Sequence, residues 1–80
     1  MSATDDADIA NGNLKFTVTL GADATGFTVT TATVNGGIVT PNTTGNVITF
    51  VGLTHNDVVN LTIASVGHTS ITDSKTYTVA

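Results

Sequence analysis

The sequence contains no cysteine, tryptophan, glutamate, glutamine or arginine. Without cysteine, no disulfide can stabilise the chain, no thiolate can bind zinc, and nothing indicates a redox compartment. A domain of 80 residues buries only about 60–65% of its unfolded surface. Stability must therefore come from the core alone or from contacts with other chains. Glutamate, glutamine and arginine are good helix formers, so their joint absence argues against helices.

Basic residues are almost absent as well. The only ones are Lys15 and Lys75, and the formal net charge is −4. Phosphate backbones and anionic membrane surfaces are bound through lysine and arginine, so neither is expected as a partner. No apolar run approaches the roughly 20 residues that span a bilayer, so membrane insertion is not expected either.

The residues that are abundant favour β-structure. Threonine is the commonest residue and valine follows it, and both suit a pleated, half-buried backbone. Residues 14–20, 57–65 and 76–80 alternate between apolar and polar side chains, which predicts half-buried strands. The expected inward-facing side chains are Leu14, Phe16, Val18, Leu20, Val59, Leu61, Ile63, Tyr77 and Val79.

Between these segments the pattern is less regular. In residues 27–34 the apolar positions change parity, which predicts a bulge near Thr30 or Thr31 or a crossing between sheets. The "NGG" at 35–37 predicts a tight turn, followed by a short strand at 38–40. Residues 47–51 are apolar on both parities, as in a central strand. The polar stretches 41–46 and 73–75 are expected to be loop and turn.

Six or seven short strands with frequent turn signals and no helical period predict an all-β antiparallel sandwich. A small closed barrel is the alternative. Residues 1–13, rich in aspartate, are expected to be a flexible acidic arm or an edge-capping extension, and residues 14–80 the folded domain.

The passage "NVITFVGLTHNDVVNLTIASVGHTS" and the final "YTV" resemble the C-terminal half of bacterial and phage immunoglobulin-like or fibronectin-III-like domains. Gly52 and Leu53 occupy the "GL" corner of such domains, and "THND" is the turn before the next strand. The tryptophan and paired cysteines of antibody domains are absent, and one edge strand is either missing or supplied by the N-terminal arm. The resemblance implies a β-sandwich that acts as a spacer, an adhesive module, or a decoration on phage capsids or tails.

His55 and Asp57 form the most pointed candidate site. With His68 as the only other histidine, a metal site would lack its remaining ligands. The alternative is an exposed corner in which Asn56 or Asp57 makes a turn bond, with Leu53 as a core residue beneath it. We favour the corner and assign no catalytic, cofactor-binding or metal-binding residue.

Three further patterns are weaker. A Ser–His–Asp set could draw on Ser65 or Ser70, His68 and Asp73, but no nucleophile elbow is present. Asp6 and Asp8 match two positions of a calcium loop, whereas Ala10 and the late glycine do not. The glycosylation sequons at Asn42 and Asn60 are expected by chance in a chain so rich in asparagine and threonine.

The four aromatic residues fall on the apolar parity of their strands, so core packing explains them. No aromatic platform remains for stacking on sugars, which makes a carbohydrate-binding module, with at most weak surface contact, the least favoured function. The two lysines and single proline leave sheet edges lightly protected, which favours protein partners or copies of the same chain.

Composition and localisation together suggest the role. The threonine-rich, acidic composition suits an extracellular setting, yet the N-terminus lacks the basic and apolar regions of a secretory signal. A virion protein reconciles the two, since it assembles inside the host and works outside. We expect a non-enzymatic accessory protein on the virion surface, decorating a capsid or tail and using no cofactor. The alternative is one module of a secreted bacterial surface protein.

Overall fold

Two four-stranded antiparallel sheets make up the computed structural model, which describes residues 2–8, 11–21 and 25–78. The strands in chain order are β1 (Ser2–Asp8), β2 (Asn13–Thr19), β3 (Thr28–Val34), β4 (Gly37–Ile38), β5 (Asn42–Thr44), β6 (Val47–Phe50), β7 (Asp57–Ala64) and β8 (Ile71–Tyr77). One sheet has the order β1-β2-β6-β5 and the other β4-β3-β7-β8. The prediction of an all-β antiparallel protein is confirmed.

The core lies between the sheets and follows the predicted alternation. Its buried side chains are Leu14, Phe16, Val18, Ala32, Ile48, Phe50, Leu53, Val59, Leu61, Ile63 and Tyr77. The rings of Phe16 and Phe50 meet edge to face, with their centroids 5.7 Å apart, a geometry that adds to the energy of burial. Leu20 is only partly buried, and Val79 lies outside the described residues.

The irregular middle of the chain folds largely as predicted. The register between β3 and β7 shifts between Val29 and Thr31, which confirms the bulge that the change of parity indicated. Asn35 and Gly36 have φ angles of 53° and 84° and connect β3 to β4. Positive φ at both central residues is the signature of a type I′ hairpin turn, so the predicted tight turn is confirmed.

Three polar segments correct the prediction. Residues 2–8 pair with β2 along the full length of β1, so they are not a flexible arm but an edge strand, in agreement with the alternative of an edge-capping extension. Residues 42–44, expected to be loop, form β5 against β6. Residues 73–75, expected to be a turn, lie in the middle of β8, where Ser74 pairs with Asn60. The structure therefore describes eight strands, more than the six or seven expected.

The short strand expected at 38–40 begins one residue earlier, at Gly37, and ends at Ile38, so residues 39–40 lie outside it. Within the described residues, no helix is long and apolar enough to cross a membrane.

Candidate functional site

The corner between β6 and β7 is built around one buried leucine. Leu53 is 7% exposed, and its backbone N–H donates to the carbonyl of Gly12 at 2.9 Å. The N–H of Asp57 donates to the carbonyl of Thr54 at 3.1 Å, and Asn56 has a φ of 71°. A positive φ at the third residue alone is typical of a type II turn. His55 is exposed at its tip, as predicted.

The carboxylate of Asp57 holds this turn together. Its Oδ2 accepts the backbone N–H of Thr54 at 2.9 Å, and its Oδ1 accepts the Thr54 hydroxyl at 3.2 Å and the Nδ2 of Asn35 at 2.9 Å. These bonds, first the Thr54 N–H and then the Asn35 amide, lower the pKa of Asp57 below its ordinary value, against a small opposing effect of burial. Asp57 is thus a turn acceptor, and the predicted turn bond is present.

Asn35 extends the network to the neighbouring turn and was not singled out from the sequence. Its Oδ1 accepts the N–H of Val58 at 2.8 Å, and its own N–H donates to the Val58 carbonyl at 2.8 Å. Its side chain therefore fastens the β3–β4 turn to the start of β7. The Asn-Gly pair marks a turn in the sequence, but nothing local names a partner 23 residues away.

The two histidines lie at opposite ends of the sandwich. His55 precedes the start of β7, whereas His68 follows its end, and β7 is 8 residues long. A strand rises about 3.3 Å per residue, so one metal ion cannot bind both side chains. In the part of the chain that the structure describes, no three histidine, cysteine or acidic residues are grouped to hold a metal.

The candidate serine–histidine set has a structural use. The Ser65 hydroxyl donates to the carbonyl of Gly26, which ties the β7–β8 loop to the segment before β3. The backbone N–H of His68 donates to the Ser65 carbonyl at 3.1 Å. Asp73 sits within β8, opposite Leu61. The hydroxyl proton of Ser65 is thus already donated to a backbone carbonyl oxygen.

The other candidate positions lie within strands. Asp6 is exposed on β1, whereas a calcium loop would need the chain to curl around the ion; Ala10 of that pattern lies outside the described residues. Asn42 is exposed on β5, and Asn60 is half-buried in the middle of β7.

A groove of about 340 Å³ lies between β3 and the connection from β4 to β5. Val29 and Ala32 of β3 and Val39 and Pro41 of the β4–β5 connection are among its lining residues. The rest of the lining is threonine and Ile38, so the groove carries no charge. It is an apolar surface feature without the converging polar groups of a typical ligand site.

The sheet edges differ in length. In the described residues, β1 and β8 are edge strands of 7 residues each, and each has a neighbouring strand on one side only. The edge strands β4 and β5 have only 2 and 3 residues. Unpaired N–H and C=O groups along a strand are a template for pairing with another chain, so β1 and β8 are the surfaces best suited to such contact.

Charged side chains on these two edges face inward. In the strand register, Asp5 lies opposite the buried Phe16 of β2, and Lys75 lies opposite the buried Val59 of β7. Residues directly opposite one another in an antiparallel pair share a face of the sheet. Lys75 Nζ reaches across to Asp5 Oδ1 at 3.7 Å, which links the two sheets at this open side. The sequence did not predict this ion pair, because residues 73–75 were expected to be a turn and residues 1–13 an arm or an edge-capping extension.

No protein-family model matches the chain, and neither a curated protein nor a solved structure matches it. The functional interpretation therefore rests on the residues and on this geometry.

Proposed function

We propose that this chain is a non-enzymatic structural module with an immunoglobulin-like fold, and that it works by protein–protein contact. The observation that carries this proposal is the pair of seven-residue edge strands, β1 and β8, each of which has a neighbouring strand on one side only in the described residues.

The strand order supports the immunoglobulin-like fold. If β1 to β8 are lettered A, B, C, C′, D, E, F and G, the sheets read A-B-E-D and C′-C-F-G. Constant-type immunoglobulin domains have A-B-E-D on one sheet and C-F-G on the other, and variable-type domains add C′ beside C. The corner at Leu53 then joins strands E and F, and the resemblance likewise has a "GL" corner between two consecutive strands.

The polar groups support a structural role over a chemical one. The side chains of Asp57, Asn35 and Ser65 all bond to turns or to neighbouring strands. These bonds connect the loops at both ends of the sandwich, so they stiffen the module. A rigid module with exposed edge strands is suited to bind other proteins through those strands.

For the biological setting we favour a phage particle, on which the chain would decorate the capsid or tail. Two features support this choice: the resemblance to phage and bacterial immunoglobulin-like domains, carried by residues 46–70 and the final "YTV", and the acidic, threonine-rich composition. A spacer or adhesive module of a bacterial surface protein is the alternative that shares the same resemblance.

Immunogold electron microscopy distinguishes these settings. An antibody raised against the purified chain is applied to cells that carry the gene and to the particles they release. We expect regular labelling of capsids or tails. Labelling confined to the cell surface would favour the adhesive or spacer module, and labelling of neither structure would contradict an exposed structural role.

A further inference from the structure

We propose that two copies of this chain pair through their β8 strands, antiparallel about a two-fold axis at Ser74. The two four-stranded sheets that contain β8 would then form one continuous eight-stranded sheet. This inference rests on the proposed function, since it names the protein partner of an open edge.

The charges along β8 are complementary in this register. When Ser74 of one copy faces Ser74 of the other, Asp73 faces Lys75 of the second copy, and Lys75 faces its Asp73. The same register places Thr72 opposite Thr76 and Ile71 opposite Tyr77. Opposite charges directly across a strand pair are stabilising and like charges are destabilising. Symmetry makes each of these pairs occur twice.

The other long edge lacks this property. If β1 paired with itself over its full length, Asp5 would face Asp5 of the second copy, and Thr4 would face Asp6. The central pair would be two like charges, which disfavours association. The edge strands β4 and β5 are too short for an extended ladder. β8 is therefore the edge that favours a second copy.

Inward-facing charges on an edge strand ordinarily deter pairing with other chains. On β8 they deter strands that offer no matching charge, because Asp73 and Lys75 would face uncharged neighbours. A second β8 supplies the match, so the same two side chains give selectivity. The present partner of Lys75 is Asp5, and the pair is 45% and 32% exposed. Exposed pairs contribute little, so Lys75 can change partners at small cost.

The arrangement is also closed. A two-fold contact uses the same surface on both copies and consumes both β8 edges, so it yields a dimer and not a filament.

The test uses sedimentation equilibrium of the full chain over a concentration series. We expect the wild type to pass from 8.1 kDa to twice that mass. Asp73→Lys and Lys75→Asp, made separately, each turn two attractive pairs into two repulsive ones. Each should weaken self-association by about tenfold or more, equivalent to about 1.4 kcal/mol.

Mixing the two variants supplies the decisive measurement. In the mixed dimer, both lysines of the first variant face both aspartates of the second, so association should return to near the wild-type level. The double exchange Asp73→Lys with Lys75→Asp should also associate with itself, and it serves if a single variant fails to fold. Asp6→Lys on β1 changes the net charge by the same amount and sign as Asp73→Lys, so it is the control matched to that variant and should leave the dimer unchanged.

A wild type that stays monomeric at every concentration would overturn the β8 dimer, and so would a dimer that both single variants leave intact. Loss of association without recovery in the mixture and in the double exchange would equally reject this register. The immunogold experiment is independent of these results. If the particles are labelled but the chain stays monomeric, the proposed function stands and the β8 dimer is rejected. If the chain forms the dimer but neither particles nor cells are labelled, the proposed function is rejected and the dimer stands.

Discussion

Replacing Leu53 by alanine tests whether the corner at 51–57 is a structural bend. Leu53 is 7% exposed, so the change removes a nearly buried side chain and leaves a cavity under the β6–β7 connection. Leu→Ala changes in cores cost about 2–5 kcal/mol. Because this side chain lies at the end of the sandwich, where the chain can partly collapse, we expect about 2–3 kcal/mol.

That loss is large for a domain of this size. At about 0.05–0.15 kcal/mol per residue, a chain of this length has a free energy of unfolding of about 4–12 kcal/mol. One kcal/mol shifts the melting temperature of such a domain by about 4–8 °C, so we expect a fall of about 10–20 °C. Urea titration followed by circular dichroism measures the free energy, and a thermal scan measures the shift.

The backbone bond from Leu53 to the carbonyl of Gly12 is available to alanine as well, so the experiment isolates the side chain. Val66→Ala is the control, since Val66 is 95% exposed and surface changes of this kind stay within about 0.5 kcal/mol. If Leu53→Ala were as stable as the control, the corner would not be held by burial, and the structural interpretation of "GLTHND" would be refuted.

Two further predictions concern the turns. Gly36→Ala should cost about 1 kcal/mol, because Gly36 has a φ of 84° that L-residues rarely adopt; Gly26→Ala, with open space and no positive φ, is the matched control, and equal urea midpoints for the two variants would contradict the type I′ turn. Asp57→Asn should make the free energy of unfolding fall less steeply at acid pH. Folding lowers the pKa of Asp57, so the ionised carboxylate stabilises the fold above the unfolded pKa of about 3.9. That stabilisation is lost as pH falls through the lower folded pKa. Parallel acid titrations of wild type and Asp57→Asn, followed by circular dichroism, would speak against this bond network if the two curves had the same shape between pH 2 and 5 (roughly the window set by that reference pKa).

The parts of the fold that sequence predicted are those that face the core on one side only. β2 and β7 alternate cleanly because one face of each is buried, and burial imposes period two on the sequence. The bulge at Val29–Thr31 was visible for the same reason, since an extra residue shifts the buried parity. Where one face of a strand is buried, the alternation of apolar and polar residues is therefore enough to predict the strand.

The segments that sequence misjudged are edge strands. β1, the middle of β8 and β5 are rich in Asp, Asn, Ser and Thr, and in isolation such residues favour turns and loops. Their strand conformation comes from the ladder bonds that β2, β7 and β6 offer. Those partners are supplied by the tertiary fold, which overrides local propensity.

In the candidate site, likewise, contacts between residues close in sequence could be predicted, and contacts between distant residues could not. Thr54, His55 and Asp57 are close in sequence, so their turn could be inferred from local chemistry. The bond from Asn35 to Asp57 joins residues 22 apart and depends on two strands being neighbours. The ion pair between Asp5 and Lys75 joins residues still farther apart in sequence. It also requires β1 and the middle of β8 to be strands.

Two of these edge strands, β1 and β8, are also those that the proposed function depends on, and this has a physical cause. A strand inside a sheet has its backbone groups satisfied and its side chains chosen for packing, so it has little left to offer another chain. An edge strand keeps one row of backbone groups open, and β8 carries the exposed Lys75 on the same strand as the buried Tyr77. If β8 pairs with a second copy as proposed, Asp73 and Lys75 belong to that contact, and the polar sequence that such a contact requires is typical of a loop when one copy is considered alone.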